Sequence, residues 1–195
     1  MKIILASASP RRKELLQKLN IPFEIKVIEH EEVMNDNLDY YENCMNIAYN
    51  KALLTYEQEK DDVIVIGSDT MVLKNNKVYG KPKDQNDAFE VLKELQNDCH
   101  EVITSIVLLI RKNKQEYLEK DYSVSKIYID KMSDSEIHDW IDNNDVLSKA
   151  GGYAIQEDFM KYVTKIDGDL GTIIGLPLNK TYRLLKKYLD SENKL

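Results

Sequence analysis

The sequence has few of the residues that staple a chain, anchor it or load it with metal. Its 195 residues include two cysteines, Cys44 and Cys99, which form neither a CxxC pair nor a disulfide framework. That usage points to a reducing, cytoplasmic setting. No apolar run approaches the ~18 residues that a membrane-spanning helix needs, and the run Ile3–Ala6 is too short for a signal peptide. The expectation is therefore a chain with no membrane partner. Positive charge is in deficit: the net charge is −7 and the sequence pI about 5.1. Such a chain is not built for non-specific binding to nucleic acid, and any cationic site must be local. Zinc chemistry is also poorly supported. "HEEVM" puts Met34 where a zinc protease needs its second histidine, and His100 and His138 have no partners at ligand spacing. Ser7 and Ser9 lack the G-x-S-x-G setting of a serine nucleophile. There is no internal repeat and no low-complexity stretch.

What remains is an ordinary globular composition, 43% hydrophobic and 31% charged, with length enough for a proper core. One continuous domain over 1–195 is expected. Buried runs alternate with amphipathic ones. Residues 2–6, "IPFEIKVI", "DVIVIGSDT", "HEVITSIVLLI" and "EYLEKDYSVSKIYI" read as strands. "TMVLKNNKVYGKP" reads as a hairpin turning at Asn75-Asn76. Helices are predicted from Pro10 to about Asn20, from Asp39 to Glu59, after an Asp84 N-cap, after a Ser133/Glu136 capping box, and after Pro177. "GGYAIQ", "KYVTKI" and "TIIGL" read as short strands. Mixed βα units and hairpins predict a mixed sheet flanked by helices.

Several places carry chemistry. In "LASASPRRKELL", Ser9 and Pro10 start a helix whose first turn holds Arg11, Arg12 and Lys13. That turn is the positive end of the helix dipole, where cations are disfavoured. They are either solvated charges or partners of an anion such as phosphate. Asp69 follows Gly67-Ser68 at the expected end of a buried strand. It reads either as a turn aspartate or as a carboxylate that accepts a proton or holds a metal. Lys51 falls on the apolar stripe of its helix, and Lys81 is restrained between Gly80 and Pro82. Glu29, Glu31 and Glu32 crowd one loop with His30, a solvated face or a source of oxygen ligands. "KAGGYAIQ" ends in Gln156, whose amide both donates and accepts.

Taken in order, "LASASPRRKELL", "GSDTMV", "YGKP", "HEVITS", "DW", "KAGGYAIQ" and "IIGLPL" resemble the motif series of the Maf family of nucleoside triphosphate pyrophosphatases, over about residues 3 to 185. The resemblance implies an elongated mixed α/β fold with two lobes around a cleft, similar to inosine triphosphate pyrophosphatases. It implies hydrolysis of a nucleoside triphosphate between the α and β phosphates, with Mg²⁺ or Mn²⁺ as cofactor, and it is compatible with a homodimer. By the same resemblance Asp69 matches the proton acceptor and a metal ligand. Ser7, Arg11, Arg12, Lys51 and Lys81 match the polar and cationic substrate-binding residues. Glu32 matches the second metal carboxylate, with Glu29 and Glu31 as alternatives. Arg11, Thr70 and Gln156 match the positions that set base choice in the branch acting on dTTP and UTP, whereas a 7-methyl-GTP branch usually has Gln after the aspartate. A nucleotide-sensing regulator of division is the non-enzyme alternative. Ser148, Glu157 and Thr172 depart from the family pattern.

Overall fold

The computed structural model describes residues 1–29 and 31–189, so His30 lies outside the described residues. Seven strands form one mixed sheet in the order β2-β1-β3-β5-β6-β7, with β4 added to β3. Strand β1 (Lys2–Leu5) pairs in parallel with β2 (Glu24–Ile25) and with β3 (Val63–Lys74), in a register running from Lys2↔Val63 to Leu5↔Ile66. The Ile and Val runs of β1 and β3 suit strands buried on both faces, whereas the two residues of β2 are exposed. Strand β4 (Lys77–Tyr79) returns antiparallel on β3 through Asn75-Asn76, both at positive φ, as the sequence predicts. Strands β5 (Asp98–Lys112) and β6 (Gln115–Ile129) meet at a turn through Asn113 and Lys114, and β7 (Val163–Asp167) pairs antiparallel with β6.

The chain clusters into two compact units. The first comprises Met1–Asp69, Thr104–Ser123 and Gly175–Leu195, and the second Thr70–Ile103 and Val124–Ile174. The first unit holds α1 (Pro10–Gln17), α2 (Tyr40–Tyr56) and α6 (Leu178–Lys186). A full Asp39/Glu42 capping box starts α2. Its Ala52 and Tyr56 pack on Val63 and Val65 of β3 together with Ile4, Ala6 and Leu109. The closest approach is at Gly67, where a Cβ would stand 2.1 Å from the Ala48 carbonyl oxygen and 3.0 Å from the Ala52 Cβ. Helix α2 therefore rests on β3 at backbone contact, which a residue with a side chain would prevent.

The second unit holds α3 (Gln85–Leu95), α4 (Asp134–Asn143) and α5 (Leu170–Ile174). Asp84 caps α3, and Ser133 and Glu136 form the predicted capping box of α4. Its core adds an aromatic cluster to aliphatic residues. Phe159 is fully buried against Trp140, Tyr153 and Tyr162, at centroid distances of 5.1, 4.7 and 5.6 Å. His100 is buried beside it, with Nε2 2.5 Å from the Tyr153 hydroxyl and no partner for Nδ1 among the described residues. Burial lowers its pKa to about 4, so it is a neutral core histidine.

Several sequence expectations need correction. Strand β3 does not stop at Gly67-Ser68-Asp69 but runs on to Lys74. What stops there is its parallel neighbour, since β1 pairs with β3 only as far as Leu5↔Ile66. "TIIGL" is not a strand: residues up to Ile174 form α5, because Asp169 Oδ2 accepts from both the N–H and the hydroxyl of Thr172, each at 2.8 Å, and so starts a helix. "GGYAIQ" is not a strand either. Ala150–Gly152 make a 3-10 turn whose N–H groups go to Gly80 and Lys149 carbonyls instead of a ladder. "IPFEIKVI" contributes only Glu24–Ile25, and α1 ends at Gln17. Among the described residues no helix is long and apolar enough to cross a membrane.

Candidate active site

Side chains alternate across a strand, so Gly67 and Asp69 of β3 face the same way. On α2, Ala48, Lys51, Ala52 and Thr55 share one face by the 3.6-residue repeat. The contact at Gly67 brings that face down on the strand, and Lys51 meets Asp69 one step further along it. Lys51 Nζ stands 2.6 Å from Asp69 Oδ1 and 2.9 Å from Glu32 Oε1. A lysine on an apolar stripe is thus neither buried alone nor snorkelling outward: it is shared by two carboxylates. Asp69 Oδ2 forms no hydrogen bond among the described residues.

Helix α1 supplies the next groups. Ser9 is its N-cap, accepting from the Arg12 N–H, and Pro10 occupies the first turn. The Arg12 side chain folds back over this turn. Its Nε donates to the Gly175 carbonyl at 2.9 Å, and one terminal nitrogen donates to Ser7 Oγ at 3.2 Å. Burial pushes the Arg12 guanidinium below its ordinary range, while the negative charges of Asp69 and Glu32 pull it back up. An arginine stays protonated under both influences. Ser7 is itself buried. Arg11 is half-buried and makes no hydrogen bond or ion pair among the described residues.

The structure therefore gathers Ser7, Arg12, Lys51, Asp69 and Glu32 in the first unit. Of the three loop glutamates, Glu32 is the one that reaches Lys51, and Glu29 and Glu31 are exposed. The remaining sequence candidates, Thr70, Lys81 and Gln156, belong to the second unit. There the Gly151 N–H donates to the Gly80 carbonyl at 2.9 Å, so the "YGKP" and "KAGGYAIQ" segments meet. Lys81 and Gln156 are exposed and have no side-chain partner among the described residues, whereas Thr70 is half-buried. Lys149 is buried, donating to the Asp145 carbonyl and pairing with Glu157 at 3.2 Å.

A floor of buried polar groups beneath Asp69 escapes sequence reasoning. The Cys44 thiol donates to the Asp69 carbonyl at 3.4 Å and lies 3.3 Å from Ser105 Oγ, which donates to the Cys44 carbonyl at 2.8 Å. Burial pushes that thiol up to about 12, so it is a packing group and not a nucleophile. Ser68, fully buried, lies with Oγ 2.8 Å from the Ser105 carbonyl and 3.1 Å from that of Gly175. Their motifs, "GSDT", "HEVITS" and "IIGLP", are visible in the chain, but nothing local in them shows that they converge.

The donor set suits a hard divalent ion only in part. Asp69 and Glu32 bring their carboxylate oxygens together on the Lys51 ammonium. Among the described residues no group of three or more His, Cys, Asp or Glu is placed to hold a metal. Two carboxylates fit an ion such as Mg²⁺, which takes one or two protein ligands and completes its shell with water and substrate phosphates.

Comparison with known proteins is consistent along the chain. Residues 2–188 match the family Maf, described as Maf-like protein. The dTTP/UTP pyrophosphatase of Alkaliphilus oremlandii (strain OhILAs) is 40% identical over 188 residues, 96% of each chain. That of Caldanaerobacter subterraneus subsp. tengcongensis is 41% identical over 187 residues, 96% of this chain and 89% of the other. Among solved structures, the Staphylococcus aureus Ham1 protein aligns over 99% of this chain and 100% of its own, at TM-score 0.47 and 13% identity.

Proposed function

The chain belongs to the Maf family, and on that footing we propose that it hydrolyses dTTP and UTP to the monophosphate and pyrophosphate. The observation that carries the reading is Lys51 held between Asp69 and Glu32, in the same unit as Arg12 and its seat on Ser7 and Gly175. Cations and carboxylates collected this way suit a polyphosphate and the water that attacks it.

In this reading Arg12, Lys51 and Ser7 hold phosphate oxygens, with Arg11 and Lys81 adding charge. Water attacks the α-phosphorus as the bond to the α–β bridging oxygen breaks, and pyrophosphate departs with the electron pair. Asp69 receives the proton of that water. Its Oδ2 suits the role because Lys51 engages Oδ1 and fixes the carboxylate's orientation. Cations near the departing oxygen neutralise the charge that builds there. Asp69 and Glu32 would hold a Mg²⁺ or Mn²⁺ ion, which would draw phosphate charge and lower the pKa of bound water.

Thr70 and Gln156 support the pyrimidine assignment. The Gln156 amide is exposed and can match the adjacent N–H and C=O of uracil or thymine. The test is a panel of nucleotides with purified protein and Mg²⁺ or Mn²⁺, reading pyrophosphate and orthophosphate separately. Turnover of UTP and dTTP with pyrophosphate as product is expected. Preference for 7-methyl-GTP moves the protein to another branch. Orthophosphate as first product, or binding with no turnover at all, overturns the reading.

A further inference from the structure

The segment "IIGLPL" has no part in the chemistry so far, yet its glycine touches a cation assigned to the substrate. Gly175 has φ 122°, a conformation that L side chains rarely adopt. The carbonyl it presents accepts from Arg12 Nε at 2.9 Å and lies 3.1 Å from the Ser68 hydroxyl. Ser68 directly precedes Asp69 in β3 and is fully buried. Its single hydroxyl proton has two carbonyls within reach, those of Gly175 and Ser105, and Ser105 Oγ in turn donates to the Cys44 carbonyl of α2. A connected set of polar contacts thus leads from α2 through β5 and β3 to the backbone that holds Arg12, all of it within the first unit.

We propose that the Gly175 carbonyl and the Ser68 hydroxyl are positioning groups that seat Arg12 for the triphosphate. The proposal rests on the reading of Arg12 as a phosphate ligand. An arginine has five N–H donors in a rigid planar fork. Fixing Nε on Gly175 and one terminal nitrogen on Ser7 sets the plane of that fork and the direction in which the guanidinium faces an anion. Order imposed before the ligand arrives lowers the cost of binding. A competing account is that Arg12 staples the last segment of the chain, with Gly175 and Ser68 serving stability alone.

A binding cycle separates the two. Calorimetry would measure the affinity of α,β-imido dTTP for the parent, Ser68→Ala, Gly175→Ala and Arg12→Ala, and for Ser68→Ala and Gly175→Ala each combined with Arg12→Ala. Thermal unfolding would be followed on the same samples. Arg12→Ala is expected to weaken binding about 10- to 100-fold, as loss of charge-assisted bonds does. Ser68→Ala and Gly175→Ala are expected to cost about 3- to 10-fold in the parent, and less than about twofold once Arg12 is gone, because groups acting through a shared partner are not additive. Equal losses in both backgrounds, or none in the parent, overturn the seat. If Gly175→Ala fails to fold, Ser68→Ala alone decides, since it removes one oxygen and leaves the backbone unchanged. Unchanged affinity in Arg12→Ala removes the phosphate reading and the seat together, whereas every other adverse result removes the seat alone.

Discussion

The two units prepare their side chains in opposite ways. In the first, each of Ser7, Arg12, Lys51, Asp69 and Glu32 has a partner within the unit, and all but Glu32 are largely buried. In the second, Lys81 and Gln156 extend into solvent from segments whose backbones are tied together. The cores differ as well. Aliphatic residues and Tyr56 fill the first, while the second sets Trp140, Tyr153, Phe159 and Tyr162 among its aliphatic residues. The contrast separates two demands on a nucleotide hydrolase. Groups that stabilise charge in the reaction act best when held in advance. Groups that read a base need a firm backbone and a side chain still available for the ligand.

The strongest way to break this comparison is at Asp69. Asp69→Asn should lower turnover of UTP by about 10²–10⁴-fold while Lys51 keeps Glu32 as partner and the melting temperature stays near that of the parent. Paired measurements of kcat and thermal unfolding decide it, and turnover within a few-fold of the parent would give the proton to another group. In the second unit the large effect should be on stability. Phe159→Ala empties a fully buried site and should cost about 3–5 kcal/mol in denaturant unfolding, with loss of turnover only in proportion to the unfolded fraction.

A smaller effect is expected from His100. Its folded pKa is depressed to about 4 from the ordinary 6.5, so the unfolded chain takes up the proton first as pH falls. Stability should therefore be full above pH 6.5 and decline as pH drops toward 4, by roughly 2–3 kcal/mol. His100→Gln should flatten that part of a stability–pH curve. An unchanged slope would place the titration elsewhere. The smallest expected effect is from Gln156→Ala. It should leave unfolding unchanged and reduce the ratio of kcat/KM for UTP over CTP by about tenfold, the scale on which paired hydrogen bonds discriminate.

Local signals are legible at the helix starts and at one turn. The caps at Ser9, Asp84 and Ser133 and the turn at Asn75-Asn76 depend on residues within a few positions of one another, and all are present. The sequence pattern places Asp69 at the end of a strand, and that premise fails. The strand continues past it, and the pairing that ends nearby is that of β1, which no local pattern in 63–74 encodes. "TIIGL" misled because its β-branched residues outweigh a helix that depends on Asp169 bonding to Thr172. The seat of Arg12 was illegible for a simpler reason. It joins positions 12, 68, 105 and 175, and hydrogen bonds across such separations leave no periodicity in the chain.

Gly67 gives the site its length scale. Lysine has a limited reach, and Lys51 spans the gap to Asp69 with no methyl group separating Ala48 of α2 from the strand. Alanine at 67 would force its Cβ against a backbone carbonyl, so the helix itself, and not a pliable side chain, would have to retreat. Such a retreat carries Lys51 away from Asp69 and lengthens their 2.6 Å ion pair wherever the lysine stem does not extend to follow. Position 67 thus belongs to the chemistry without touching it: the smallest residue of the strand works as a gauge, and the separation it keeps is the one Lys51 needs.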